Sequence, residues 1–214
     1  MICQVHCQAI GYPNGEVCLK LLLVSGFLGA GKTTLILQLA HMAVTTGWRV
    51  AILVNEIGER GIDDQFMRRL GLSVWELLNG CICCTLAADL VTTLQTLDAD
   101  YRPDLVILEP SGVAESGSIL SALRYYRGTP LEMVRTICLI DPQRLAILLE
   151  VLTPLVTAQI RSADTLLINK VDVATPDEIA EARETVAAIN PEARMVLASA
   201  KAGLEPGLLK ELLP

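Results

Sequence analysis

The sequence predicts a three-layer α/β fold, in which a mostly parallel sheet carries helices on both faces. Short apolar runs alternate along the chain with segments of helical spacing, and this alternation is typical of a parallel sheet. Apolar residues make up 52% of the 214 residues and aromatic residues only 4%, which fits strands buried on both faces beneath aliphatic helices. A chain of this length can bury a full core, so we expect residues 1 to 214 to form a single domain.

The first βα unit begins near residue 20. Lys20 to Ser25 is an apolar run that predicts a strand, a glycine-rich loop follows it, and Thr33 to Thr46 has helical spacing. Gly47 ends that helix, since glycine is common at helix C-termini. Ahead of the unit, Pro13-Asn14-Gly15 is a turn signal. We therefore expect residues 1 to 18 to form a β-hairpin that adds an edge strand.

The rest of the chain repeats this alternation without a linker or a low-complexity segment. Each later strand is predicted from a short apolar run, and each later helix from apolar residues at helical spacing. The predicted strands are Arg49–Val54, Ser73–Leu78, Asp104–Leu108, Thr136–Ile140, Thr165–Ile168 and Met195–Leu197. The predicted helices are Leu86–Leu97, Gln143–Leu152, Pro176–Ile189 and Leu204–Leu213.

The charge and the cysteine content exclude several classes of function. The formal net charge is −7, and an acidic surface disfavours a nucleic-acid partner because a phosphate backbone selects for basic residues. The start of the chain has no basic region, and the apolar run Leu19 to Val24 is too short for a signal peptide or a membrane span. We therefore expect a cytoplasmic protein with no membrane partner. The seven cysteines, an odd number, then indicate thiols or metal ligands rather than a disulfide framework.

The segment Gly26-Phe27-Leu28-Gly29-Ala30-Gly31-Lys32-Thr33 is a complete phosphate-binding loop. Its glycines let consecutive backbone N–H groups turn toward phosphate oxygens, and the N-terminus of the following helix favours negative charge. Lys32 is expected to reach the β and γ phosphates, and Thr33 to bind Mg²⁺. The position between a strand and a helix predicts a P-loop NTPase fold. We expect nucleotide contacts from Gly26, Gly29, Ala30, Gly31, Lys32, Thr33 and Thr34.

A second motif selects the base. Asn169-Lys170-Val171-Asp172 follows the predicted strand Thr165–Ile168. The Asp172 carboxylate can accept from the ring N–H and the exocyclic amine of guanine, whereas adenine has no such pair of donors. Asn and Asp at a strand exit are also common turn residues, but this position in a P-loop sheet favours GTP and GDP. Ser199-Ala200-Lys201, after the last strand, is expected to close over the base.

Carboxylates near the sheet edge are candidates for the chemistry of hydrolysis. Glu109 ends the strand Asp104–Leu108, where it can hold a water on Mg²⁺; the alternative is the start of a helix capped by Ser111. Gly112 is expected to contact the γ-phosphate, and Asn55 to Asp63 is a polar stretch with the character of a switch loop. The residues expected to assist hydrolysis are Lys32, Glu59, Asp63 and Glu109. None of them is an obvious general base, so slow hydrolysis is expected without a partner.

The cluster Cys81-Ile82-Cys83-Cys84 predicts a transition-metal site. Thiolates prefer soft or borderline ions such as zinc or cobalt, and three thiolates leave a tetrahedral site open, which suits transfer of an ion. Glu59 is the first choice for a fourth ligand. The alternative is a group of buried or redox-active thiols.

The remaining cysteines predict no second metal site. Cys3, His6 and Cys7 have ligand-like spacing, but imperfect alternation on a strand favours packing. Cys18 and Cys138 lie beside or within apolar strands and are interpreted as small core residues.

Together these motifs resemble those of the CobW-type GTPases, which belong to the CobW/HypB/UreG group of P-loop metallochaperones. Residues 26–34, 55–63, 79–84, 109–112 and 169–172 carry the resemblance, in that order, and the cysteine cluster is its most specific part. The resemblance covers residues 19 to 214. It implies that Lys32 and Thr33 bind phosphate and Mg²⁺, that Asn169, Lys170 and Asp172 bind guanine, and that Cys81, Cys83, Cys84 and the acidic Glu59 hold a transition metal.

The resemblance also implies how the sites are used. GTP hydrolysis would change metal affinity, and the metal would pass to a client metalloprotein or to a cofactor-assembly protein, as in cobalamin synthesis. It allows a homodimer that depends on nucleotide or metal. Many relatives carry a further C-terminal domain, which is expected to be absent because the chain stops at Pro214. Two alternatives remain, a nucleotide-switch scaffold that activates a client without moving metal, and an ATP-dependent kinase.

Overall fold

The computed structural model describes residues 18–54, 73–76, 86–110 and 116–214 of the chain. Within these ranges the strands are β1 Leu19–Gly26, β2 Val50–Val54, β3 Ser73–Glu76, β4 Leu105–Glu109, β5 Leu131–Ile140, β6 Thr165–Ile168 and β7 Arg194–Leu197. The helices are α1 Lys32–Thr45, α2 Leu86–Asp100, α3 Ser116–Ala122, α4 Pro142–Arg161, α5 Pro176–Ile189 and α6 Pro206–Leu212. A short 3₁₀ turn, Leu123–Tyr125, follows α3.

The seven described strands form one sheet in the order β3-β2-β4-β1-β5-β6-β7. Every neighbouring pair is parallel, so the predicted α/β fold is confirmed. Strands β2, β3 and β4 lie on one side of β1, and β5, β6 and β7 lie on the other. The strand order therefore changes direction at β1. In open α/β sheets, ligands bind outside the carboxyl ends of the strands at such a switch point.

Alternate residues of β1 pack into different layers. Leu22 and Val24 lie in a core formed with α1 and α6, whereas Leu21 and Leu23 lie in a core formed with α2 and α3. A third core, beneath α4 and α5, contains Cys138 and Ile140 of β5. Side chains on a strand alternate between its faces, which explains the division. Each fully buried leucine contributes about 1.5–3 kcal/mol relative to an exposed one.

Local patterns misplace the starts of two elements and do not predict a third. β5 begins at Leu131 rather than Thr136, since residues 131–135 are exposed or only partly buried and lack a continuous apolar run. The last helix begins at Pro206 rather than Leu204. The short helix α3 had no apolar periodicity that predicted it.

The fourth helix is also longer than predicted, and it continues past Leu152 to Arg161. Leu152 has non-helical backbone angles (φ −130°, ψ 35°), two residues before Pro154. Proline inside a helix removes a hydrogen bond and bends the axis, but it need not end the helix. In the described ranges, α4 alone has the length and mean hydropathy (1.2) that a membrane span would need. It packs on the sheet through Leu145, Val156 and Ile160.

The predicted N-terminal hairpin, residues 1 to 18, lies outside the described residues except for Cys18. β1 has β4 on one side and β5 on the other. Lys20 to Leu23 are therefore paired on both sides, so a hairpin strand cannot pair with this part of β1. An added strand would need another edge of the sheet.

Candidate functional site

The phosphate-binding loop connects β1 to α1 and is closely packed at two of its glycines. Gly26 has a φ of 130°, and a Cβ there would lie 2.6 Å from the carbonyl oxygen of Leu139. Gly31 has a φ of 102°, and a Cβ there would lie 2.3 Å from Nδ2 of Asn169. Both positions therefore need glycine for the backbone angle and for space. The motif therefore determines how the loop packs, in addition to its expected role in directing backbone N–H groups toward phosphate oxygens.

Lys32, Thr33 and Glu109 meet at the carboxyl ends of the neighbouring strands β1 and β4. The Lys32 ammonium lies 3.4 Å from the carbonyl oxygen of Phe27 and 3.7 Å from Oε1 of Glu109. The Thr33 hydroxyl donates to Oε2 of Glu109 at 3.4 Å. A cation, a hydroxyl and a carboxylate are thus brought together where the loop would hold phosphates and Mg²⁺.

Glu109 lies in a partly dehydrated environment. Burial raises the pKa of its carboxyl above the ordinary value, and the nearby Lys32 ammonium and the Thr33 hydroxyl offset only part of this effect. Desolvation disfavours the charged form of an acid. Extra positive charge at this position, such as a divalent cation, would stabilise the carboxylate.

Asn169 connects three loops of the site. Its side chain is 3% exposed; Nδ2 donates to the carbonyl oxygen of Ala30 at 2.7 Å, and Oδ1 accepts from the N–H of Ala200 at 2.8 Å. The amide therefore ties the phosphate-binding loop to the segment after β7. A buried amide with both ends bonded fixes distances between loops, because leaving either group unbonded costs free energy.

Asp172, which is predicted to bind the base, is exposed. The pKa of its carboxyl lies below the ordinary value, chiefly because the Ser199 hydroxyl donates a hydrogen bond to it, with smaller contributions from Lys201 and Lys170. The carboxyl group is therefore ionised at neutral pH and open to a ligand. The structure brings the end of the guanine motif and the segment after β7 together at this point.

Two further residues contact these motifs, and the sequence patterns did not predict either of them. Gln38 of α1 donates from Nε2 to the carbonyl oxygen of Ala200 at 2.6 Å and accepts from the N–H of Leu204 at 2.8 Å. Asp141 accepts from the Lys170 ammonium at 2.7 Å. The available sequence signals were a polar residue, Gln38, between Leu37 and Leu39, and an aspartate, Asp141, directly before a proline at the end of a strand.

Several predicted site residues lie outside the described residues and remain predictions. They are Glu59, Asp63, Cys81, Cys83, Cys84 and Gly112. The predicted packing of Cys3, His6 and Cys7 also lies outside the described residues. Among the residues that the structure describes, no three His, Cys, Asp or Glu side chains come together as a metal site. Cys138 is buried in a core, as predicted, and burial raises the pKa of its thiol to about 12.

Comparisons with known proteins match most of the described sheet. A family model described as CobW/HypB/UreG, nucleotide-binding domain, matches residues 20–197. The zinc chaperone YeiR of Escherichia coli (strain K12) is 36% identical over 157 residues, which cover 72% of this chain and 47% of that protein. The chain spans about half the length of the curated relatives that it matches.

Two solved structures have a similar fold. The crystal structure of Zn(II)-bound YjiA GTPase from E. coli aligns with a TM-score of 0.60 and 26% identity, over 83% of this chain and 57% of that chain. The hydrogenase maturation factor HypB from Archaeoglobus fulgidus aligns with a TM-score of 0.65 over 91% of this chain and 88% of that chain. At 18% identity, this second likeness concerns the fold alone.

Proposed function

Because the chain belongs to the CobW/HypB/UreG family of nucleotide-binding domains, we propose that it is a GTP-hydrolysing metallochaperone. It binds GTP, handles a transition metal through its cysteine cluster and delivers that metal to a client protein. The observation that carries the nucleotide part is Asn169, which joins the phosphate-binding loop to the segment that would cover the base. The base motif and the phosphate motif thereby form one site.

Guanine is the proposed base because Asp172 presents an exposed, ionised carboxylate beside Ser199 and Lys201. A carboxylate acceptor matches the paired N–H groups of guanine. An ATP-dependent kinase is disfavoured by the same feature, since adenine presents an acceptor where guanine presents the ring N–H.

Magnesium is the proposed cofactor, and the donor set fits it. The Thr33 hydroxyl and the Glu109 carboxylate lie together, and hard oxygen donors suit Mg²⁺. When bound, Mg²⁺ would neutralise negative charge that develops on the phosphates. Lys32 would contribute a second positive charge at the same place once its ammonium turns from the carbonyl of Phe27 toward a phosphate.

The metal cargo is proposed to bind Cys81, Cys83 and Cys84, with Glu59 as a fourth ligand. Zinc is the first choice, because the similar protein YeiR is named a zinc chaperone and the similar YjiA structure holds Zn(II). Cobalt has overlapping ligand preferences and remains the second choice. We place the protein in the cytoplasm, with a client metalloprotein and a nucleotide-dependent homodimer as its proposed partners.

Coupling between nucleotide and metal is the critical test. Zn²⁺ and Co²⁺ are titrated anaerobically into the protein with and without a non-hydrolysable GTP analogue, and the analogue is titrated with and without metal. Binding linkage is reciprocal, so both experiments must return the same factor. The variant Cys83→Ser with Cys84→Ser should lose the metal and keep GTP, whereas Cys138→Ala is the matched control that should keep both.

The titrations also separate the proposal from its alternative. If GTP binds and metal has no effect on its affinity, the coupled mechanism is wrong. If the variant with Cys83→Ser and Cys84→Ser still activates a client in metal-replete cells, the protein is a nucleotide-switch scaffold rather than a metallochaperone. If GTP does not bind, the nucleotide part of the proposal is wrong.

A further inference from the structure

The first turn of α4 contacts both halves of the nucleotide site, although neither sequence motif includes it. Asp141 precedes the helix, and Gln143 and Arg144 belong to its first turn. Resting on the proposed binding of GTP, we propose that Asp141 and Arg144 are positioning residues. Arg144 holds the phosphate-binding loop in place, and Asp141 holds Lys170 of the guanine motif in place, so that one helical turn sets the distance between the two halves.

Arg144 acts on the tip of the phosphate-binding loop. Its Nη1 atom donates to the carbonyl oxygen of Leu28 at 2.8 Å, and a Cβ on Gly29 would lie 3.3 Å from the same atom. The guanidinium therefore lies against the loop backbone. Hydrogen bonds from a charged donor are stronger than neutral ones, so this contact restrains the loop.

Packing alone does not hold this part of the loop. The Leu28 side chain is 81% exposed, and a small cleft lies between the loop and α4, lined by Phe27, Ala30, Leu145 and Leu148 among others. Side chains that surround a cleft have few partner atoms on that side and gain less from packing. Arg144 and Leu28 both line this cleft, and the hydrogen bond between them restrains the loop where packing is sparse.

Asp141 acts on the guanine motif. Its Oδ2 atom accepts from the Lys170 ammonium at 2.7 Å, and Oδ1 accepts from the N–H of Gln143 at 3.2 Å. Lys170 has a φ of 61°, a left-handed conformation that is strained for a non-glycine residue. A strained residue persists where its surroundings hold it, and the ion pair with the buried Asp141 does so here. Lys170 in turn directly follows Asn169 and precedes the turn that carries Asp172.

The two contacts are rigidly connected. Asp141 caps the helix that carries Arg144, and Nε2 of Gln143 donates to the carbonyl oxygen of Val173 at 3.4 Å. The N-cap Asp141 and two residues of the first turn therefore contact the loop at Leu28 and the turn at Lys170 and Val173. Because they act through these groups, neither Asp141 nor Arg144 needs to touch the nucleotide.

The test compares affinity with base discrimination. A fluorescent GDP analogue is displaced from the whole protein by GDP and by inosine diphosphate, which lacks the exocyclic amine of guanine. Arg144→Met should weaken both ligands by the same factor, about tenfold, since one charged hydrogen bond is lost. Arg144→Lys should recover part of the loss because it keeps a donor. Arg161→Met, at the other end of α4, is the matched control and should bind as the wild type does.

Asp141→Asn should have a different effect. Asparagine caps a helix as well as aspartate does, so the helix start is kept while the charge that holds Lys170 is lost. The ratio of GDP to inosine diphosphate affinity should fall several-fold, and Glu150→Gln on the same helix should leave the ratio unchanged. If Asp141→Asn does not fold, Asp141→Ser, which also caps, gives the same measurement.

The outcomes are distinct. An unchanged affinity ratio in the Asp141 variant, or unchanged affinities in Arg144→Met, overturns the inference. Failure of the wild-type protein to bind GDP instead overturns the proposed function on which the inference rests.

Discussion

Gly31→Ala puts a methyl group where the folded protein has no space. The new Cβ would lie 2.3 Å from Nδ2 of Asn169, at a φ of 102°. Gly47 is a matched control, because its φ is 93° and a Cβ there would meet nothing within 4 Å. Both substitutions force alanine into the left-handed region, at a cost of about 1–2 kcal/mol. Only Gly31→Ala must also displace a buried side chain.

The additional cost follows from the bonds of Asn169. It donates to Ala30 at 2.7 Å and accepts from Ala200 at 2.8 Å while 3% exposed. Each bond contributes about 1 kcal/mol, and a buried group left without a partner costs about 1–3 kcal/mol. We expect Gly31→Ala to lower the free energy of unfolding by about 2–3 kcal/mol more than Gly47→Ala.

A double-mutant cycle measures this coupling in nucleotide-free protein. Urea unfolding is followed for the wild type, Gly31→Ala, Asn169→Ala and the double variant. In the Asn169→Ala background the clash disappears, so Gly31→Ala should then cost no more than Gly47→Ala. An equal cost of Gly31→Ala in both backgrounds would refute the reasoning, because the requirement for glycine would then have no connection with Asn169.

Two further predictions concern the base motif and a buried thiol. Asp172→Asn should weaken GDP binding by about 100-fold and strengthen binding of xanthosine diphosphate. The asparagine amide can donate to the oxygen that xanthine carries in place of the exocyclic amine of guanine. Competition binding measures both affinities, and an unchanged GDP affinity would contradict the guanine assignment. The pKa of Cys138, about 12, leaves almost no nucleophilic thiolate at mildly alkaline pH, and its reactivity should rise only as the pH approaches that value. A thiol reagent should therefore label equal numbers of cysteines in the native wild type and in the native Cys138→Ala variant. After unfolding in urea, the wild type should carry one label more than the variant. An extra label on the native wild-type protein would contradict this prediction.

The sequence predicts the sheet and the motif positions well, because both depend on local patterns. A buried parallel strand is a continuous apolar run, and a glycine-rich loop between such a run and a helix has few other structural uses. Loop and base motifs meet because each follows a strand of the same parallel sheet. The two motifs meet whenever the strands follow the order that is common in open α/β sheets.

The contacts that position the motifs are not local, and this is why they were missed. Arg144 bonds to a carbonyl 116 residues earlier in the chain, and Gln38 to one 162 residues later. No periodicity relates such partners, and each acceptor is a backbone group that carries no residue-type signal. The start of β5 and the extension of α4 were misplaced for a related reason, since tertiary packing at the sheet and around Pro154 outweighs the local pattern.

The central place of β1 in the sheet affects how the protein is made. On the ribosome, the phosphate-binding loop is synthesised before the residues that it packs against: Gly26 packs against Leu139, Gly31 lies against Asn169, and Asn169 bonds to Ala200. One side of β1 stays open until β5 has emerged. Domains fold as units from chains that grow from the N-terminus. A nascent chain that ends before Leu139 carries the whole phosphate motif but lacks the groups that fix its shape, so nucleotide binding would report that Leu139, Asn169 and Ala200 have been synthesised.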